Sequence, residues 1–276
     1  MKLVRVLVLA LLIAAPSDAA ERRYTTDAEA EAWRAVGLVD WRGRGRCTGA
    51  LIQPDVVLTA AHCVADAASR TIAPASAIRF IAGRRGNFNI GVVAAKSISV
   101  HPGYFATGAS YGEQQVRLDV ARIKLVRAIP DVDAFRVAYT PPVGAEVALL
   151  SYSQNRQSRL SIQTPCRIRN RKTEFLELDC TSTPGASGAP YFSISRDGTP
   201  RLVGVNSGRR TRGASPTALA LAFDHLRDFI GPSGGRVVGE AGETTGGTIR
   251  RLAPASGETR LPGASTPGAR IGKRAP

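Results

Sequence analysis

The chain has 276 residues, with 37 Lys and Arg against 22 Asp and Glu, a formal net charge of +15. Only five of the basic residues are lysine, and the arginines are scattered, with short clusters at Arg84–Arg85, Arg209–Arg212 and Arg250–Arg251. Scatter of this kind reads as a solubilising surface, and no nucleic-acid partner is expected. Three histidines and the lack of any CxxC pair argue against zinc, so neither a metal nor another cofactor is expected.

Residues 1–19 read as a secretory signal. Lys2 and Arg5 precede the apolar run Val6 to Ala15, and Ser17 and Ala19 stand at −3 and −1 of a cleavage site. That run is far short of the roughly 20 residues a spanning helix needs, and nothing later is more apolar. A secreted or periplasmic monomer with no stable membrane insertion after signal cleavage is the expectation. In an oxidising compartment Cys47, Cys63, Cys166 and Cys180 would form two disulfides. Spacing alone leaves all three connectivities open.

Residues 20–35 read as a lead-in, helix-prone from Thr25 to Ala32. From Val36 to Ile230, short β-type runs alternate with Gly, Pro, Asn and Asp: Gly37–Asp40, Val56–Thr59, Ile78–Ile81, Val92–Val100, Val147–Ser151 and Leu202–Val205. That rhythm predicts an all-β sandwich or barrel over 36–232. Asp224 to Ile230 reads as a short C-terminal helix, stopped by Gly231-Pro232. Residues 233–276 shift to Gly, Ala, Thr, Pro and Arg and are expected to be disordered, since they cannot bury enough apolar surface.

Peptide hydrolysis by a serine needs a nucleophile, a base, a group that orients the base, and N–H donors for the oxyanion. Residues 47–63 read Cys-Thr-Gly-Ala-Leu-Ile-Gln-Pro-Asp-Val-Val-Leu-Thr-Ala-Ala-His-Cys. This stretch strongly resembles the histidine region of trypsin-like peptidases. Thr183-Pro-Gly185-Ala-Ser187-Gly-Ala-Pro190 resembles their active-serine loop, and Arg117-Leu-Asp-Val-Ala-Arg-Ile-Lys-Leu125 their aspartate strand. His101, in a segment similar to the family's His-Pro-x-Tyr, reads as a surface loop residue. Asp131 and Asp133 sit in a Pro-containing loop with no apolar strand to bury a carboxylate.

The resemblance implies a secreted serine endopeptidase acting on proteins or peptides, with His62, Asp119 and Ser187 as its catalytic residues. It implies an oxyanion hole from the amides of Gly185 and Ser187. It further implies a chymotrypsin-like pair of packed six-stranded antiparallel β-barrels. The disulfides it implies are Cys47–Cys63, pinning the histidine turn, and Cys166–Cys180, stapling a hairpin around Arg169–Lys172 that leads into the serine loop. The second of these brings the chain closer to bacterial, glutamyl-endopeptidase-like members than to animal trypsins. The alternative is a catalytically weak homologue that binds an anionic or cell-envelope partner.

Departures from the family pattern limit what carries over. Ala186 stands where trypsin-like zymogens place the aspartate that pairs with the new amino terminus, so trypsin-style activation is not expected. Thr181, six residues before Ser187, is expected at the base of the S1 pocket and argues against a strict Arg/Lys preference. Asn206, Ser207 and Gly208 are expected to form a pocket wall and pair with substrate. Glutamyl endopeptidases commonly carry histidine where Asn206 aligns.

Overall fold

The computed structural model describes residues 21–107, 112–211 and 217–231. The expected signal (1–19) and the expected disordered tail (233–276) lie outside the described residues, as does Arg212.

The first barrel closes in the order β2-β3-β4-β9-β8-β7. Its strands are β2 (Val36–Trp41), β3 (Gly45–Gln53), β4 (Val56–Thr59), β7 (Ile78–Ala82), β8 (Gly91–Val100) and β9 (Ala121–Leu125). Two-residue strands β5 (Ala65–Asp66) and β6 (Thr71–Ile72) form a side ribbon after the histidine turn. Pro54–Asp55 turns β3 into β4, with a two-residue connection that fits tight antiparallel pairing.

The second barrel comprises β11 (Glu146–Ser151), β12 (Ser161–Arg171), β13 (Phe175–Leu178), β14 (Pro190–Ile194), β15 (Pro200–Arg210) and β16 (Thr217–Ala222). Six antiparallel pairings close it, the last between β12 and β13, while the short β10 (Arg136–Val137) lies parallel to β15. Two packed six-stranded barrels are thus the observed architecture. The β12–β13 turn falls at 172–174, starting three residues later than the expected turn at Arg169–Lys172, because Asn170 and Arg171 remain paired with β13.

Residues 20–35 are more than a lead-in. Strand β1 (Glu21–Tyr24) pairs antiparallel with Ser161–Thr164 of β12, and α1 (Asp27–Ala32) follows with a Thr26/Glu29 capping box. Trp33 is buried against Phe192 of β14 and Phe135 of the inter-barrel connection, with ring centroids 4.9 and 5.9 Å away. This cluster ties the segment to both barrels through area burial and tilted aromatic contacts. The C-terminal helix α3 (Arg227–Ile230) is shorter than expected: 223–226 form turns, and Leu226, not Asp224, precedes the first helical residue.

Candidate active site

His62 lies in a single 3₁₀ turn, Ala61–Cys63, directly after β4, and the Cys47–Cys63 disulfide ties that turn to β3. Asp119 follows the one-turn helix α2 (Glu113–Val116) and precedes β9. The register Thr59↔Ala121 between β4 and β9 brings the chain beyond both strand ends side by side. Asp119 Oδ1 accepts from the His62 backbone N–H at 2.9 Å, and Oδ2 lies 2.7 Å from His62 Nδ1. The Ser207 hydroxyl donates to Oδ2 at 2.5 Å.

The Asp119 side chain has no exposed surface, so its charge is tolerable only because these donors replace water. An ionised carboxylate can only accept, which assigns the proton to Nδ1 and leaves Nε2 as the basic nitrogen. Desolvation in the cleft pulls the His62 pKa down, although 34% of the side-chain surface stays exposed. The charge of Asp119 and its hydrogen bond outweigh that effect, and the net shift is upward from the ordinary imidazole value.

Residues 179–189 contain no strand or helix. Hydrogen bonds to consecutive carbonyls hold this loop instead. Thr183 O accepts from Ala186 N (2.9 Å), Pro184 O from Gln154 N (2.6 Å), and Gly185 O from Thr48 Oγ1 (2.9 Å). Ala186 O accepts from Asn206 Nδ2 and Ala189 N, both at 3.0 Å, and Ser187 O from Thr48 N at 2.8 Å. In a planar trans peptide the C=O and the following N–H point in opposite directions. Pinning Pro184 O and Ala186 O therefore aims the N–H groups of Gly185 and Ser187 away from Gln154 and Asn206. Neither of those N–H groups has a hydrogen-bond partner among the described residues.

Gly185 has φ +86°, and a Cβ there would meet Tyr152 O at 2.8 Å. Gly188 has φ +74°, and its Cβ would fall 2.1 Å from Thr59 Oγ1 and 2.3 Å from Thr48 O. Both positions thus combine left-handed backbone with no room for a side chain. Gly188 also shows how closely the serine loop is seated on the strand that leads to His62. Ser187 is half-buried, and its hydroxyl makes no hydrogen bond to His62 among the described residues. Such contacts often close only around substrate.

Thr48, which the sequence marks only as a member of the histidine motif, links the two halves. Its neighbour Cys47 is bonded to Cys63, next to His62, while its own amide and hydroxyl hold Ser187 O and Gly185 O. Gln154 and Arg22 also reach the loop, and no sequence signal marks either. Thr181 is exposed, and its N–H donates to Gln163 Oε1. Cys166–Cys180 staples β12 to the entrance of the loop.

The assignment of Asn206 to a substrate-facing wall is corrected. Its side chain is wholly buried, donating to Ser182 Oγ and Ala186 O and accepting from Tyr191 OH. An irregularity in the β15–β16 pairing between Asn206 and Gly208 breaks the register here, as bulges do where a side chain must be re-aimed. Ser207 is buried and turned to Asp119, so only Gly208 keeps partial exposure, beside Arg209 in the cleft that also contains His62. Arg210 is paired with Glu177 and Glu113. His101 caps the Gly103 N–H and packs at a tilt against Phe229, as befits a structural residue. Nitrogen and sulfur atoms of His62, Cys47 and Cys63 lie within 4.8 Å of one another, but the two sulfurs are bonded to each other and cannot act as thiolate ligands.

Residues 47–205 match the family described as a trypsin-like peptidase domain, and the chain belongs to that family. A glutamyl endopeptidase of Bacillus licheniformis is 27% identical over 183 residues, covering 65% of this chain. The match spans 55% of that relative's length, so the chain covers about half of it. A solved Glu endopeptidase structure, in complex with MPD, superposes with a TM-score of 0.62 at 20% identity, covering 75% of this chain and 92% of the other, and it shares the fold.

Proposed function

We propose that this chain is a serine endopeptidase that cleaves peptide bonds through an acyl-enzyme, with His62, Asp119 and Ser187 as its catalytic residues. The observation that carries the reading is the buried Asp119 carboxylate, which receives both the backbone N–H and Nδ1 of His62. Nε2 then takes the proton of Ser187 Oγ as that oxygen attacks the scissile carbonyl, and returns it to the leaving amine. Asp119 stays ionised and stabilises the imidazolium. The negative charge that develops on the carbonyl oxygen is met by the amides of Gly185 and Ser187, which the pinned carbonyls leave free to donate. Water repeats the sequence on the acyl-enzyme, and Ser187 is restored.

No carboxylate stands at Thr181, which disfavours a strict Arg/Lys preference. Asn206 is turned inward, so the pocket wall is supplied by backbone around Gly208. Export through residues 1–19 fits the disulfides Cys47–Cys63 and Cys166–Cys180, which persist in oxidising compartments. No helix among the described residues is long and apolar enough to cross a membrane.

The test is covalent labelling of the mature protein by a fluorophosphonate, with Ser187→Ala as control. Labelling of the wild type alone is expected. A folded wild type that stays as unlabelled as the variant would overturn the assignment.

A further inference from the structure

We propose that Arg22, on the N-terminal strand β1, is a positioning residue that clamps the two segments which aim the oxyanion amides, in place of the aspartate–amino terminus pair that Ala186 rules out. The inference rests on the hydrolase function proposed for the same site. Arg22 Nη1 donates to Thr183 Oγ1 at 3.1 Å and, more weakly, to Ser153 Oγ at 3.4 Å; Nη2 donates to the carbonyl of Thr181. Ser153 immediately precedes Gln154, whose N–H holds Pro184 O. Thr183 immediately precedes Pro184, and its carbonyl holds Ala186 N. One planar guanidinium therefore reaches both sides of the Gln154–Pro184 hydrogen bond that directs the Gly185 N–H.

The clamp is anchored from behind. Arg22 stands opposite Gln163 in the β1–β12 register, and Gln163 Oε1 accepts from Thr181 N, so strand and loop share one attachment point. Arg23, the next residue, ion-pairs with Glu29, as alternation along a strand sends neighbouring side chains to opposite faces.

Arg22 has no carboxylate partner among the described residues. Its burial, then repulsion from Arg156, lowers its pKa, yet a guanidinium stays charged at any working pH. A half-buried cation with only neutral acceptors is a poor device for stabilising a fold. What it offers is geometry: a rigid fork of donors that holds several acceptors at fixed angles. A lysine offers a point charge that cannot reproduce that fork.

The experiment compares wild type with Arg22→Ala, Arg22→Lys and Arg23→Ala in the full chain after export. Peptide hydrolysis and the rate of fluorophosphonate labelling are measured together. In Arg22→Ala, kcat and the labelling rate should fall in parallel, on the order of 10- to 100-fold, somewhat less than loss of an oxyanion donor itself. KM should be nearly unchanged, and free guanidinium at non-denaturing concentration should restore part of the rate. Arg22→Lys should fall between, and Arg23→Ala should match wild type.

The proposal is overturned if folded Arg22→Ala is labelled at the wild-type rate. It is equally overturned if the loss lies wholly in KM and only for peptides with an acidic P1 residue, which would make Arg22 a reader of substrate charge. Should Arg22→Ala not fold, Arg22→Lys at full kcat overturns the proposal just as well. Labelling of wild type that Ser187→Ala abolishes keeps a failure here separate from a failure of the hydrolase function, whereas an unlabelled wild type sinks both.

Discussion

The two barrels hold their halves of the site by different means. On the first, His62 and Asp119 sit just beyond the ends of β4 and β9, and strand register, one disulfide and two hydrogen bonds donated by His62 to one carboxylate fix them. On the second, Ser187 lies in a loop with no regular structure, held carbonyl by carbonyl from Thr48, Gln154 and Asn206. A side chain at the rim of a closed barrel inherits the stiffness of the sheet. Backbone amides that must point at one developing charge inherit nothing, so each peptide plane has to be fixed separately.

The largest loss of activity is expected on the side of the base. Asp119→Asn should lower kcat/KM by about 10⁴-fold, because an amide no longer enforces the Nδ1-protonated tautomer. The pH profile supplies the sign. His62 must be neutral to act as base, and its pKa is raised, so the acid limb of the wild-type profile should lie above the ordinary imidazole value, with activity lost as pH falls through it. Without the carboxylate the raising influences vanish while desolvation remains, and the acid limb of the residual activity should move to lower pH. A kcat/KM profile of the variant with its acid limb unmoved would contradict this account.

The next largest effect should come from the nucleophile side. Asn206→Leu keeps the branched shape at a somewhat larger volume, removes the donor to Ala186 O and takes one hydrogen bond each from Ser182 Oγ and Tyr191 OH. The Ser187 peptide is then held on its carbonyl side by the Ala189 N–H alone. We expect kcat to fall by roughly 10- to 100-fold with a smaller change in KM, and stability to drop by about 1–3 kcal/mol from the lost buried hydrogen bonds. Chemical denaturation read alongside kinetics checks both, and a stability loss with unchanged kcat would show that Asn206 supports the barrel and not the amide.

This contrast also explains what could be read in the sequence. Local devices are legible: the Cys47–Cys63 stretch, the Asp119 strand, the two glycines of the serine loop and most strands announce themselves by residue order and alternation. Contacts across the fold are not. Strand β1 reads Glu-Arg-Arg-Tyr, without apolar alternation, and is a strand only because β12 offers an edge. Asn206 carries the right position in the chain for a pocket wall, but the bulge in β15 decides its direction, and a bulge leaves no mark in a single sequence. Arg22 and Gln154 act through a guanidinium and a backbone N–H at positions that composition cannot distinguish from any other.

The smallest predicted effect on activity is the cleanest test of the division between the barrels. The two disulfides span nearly equal stretches, 16 residues for Cys47–Cys63 and 14 for Cys166–Cys180. Loop-closure entropy therefore assigns each roughly 3 kcal/mol of stability, with little difference between them. Their neighbours differ: Cys63 adjoins His62, and Cys47 adjoins Thr48, which holds the serine loop through Ser187 O and Gly185 O. Cys180 enters the loop seven residues before Ser187, where Arg22, Gln163 and Asn206 still grip the chain. Replacing either pair by alanine should lower the unfolding free energy by similar amounts, while kcat of the folded fraction falls several-fold only when Cys47 and Cys63 are lost. Equal kinetic losses from both pairs would mean that the serine loop depends on its covalent staple as heavily as the histidine turn does, and that the hydrogen-bonded carbonyls are not sufficient to hold it.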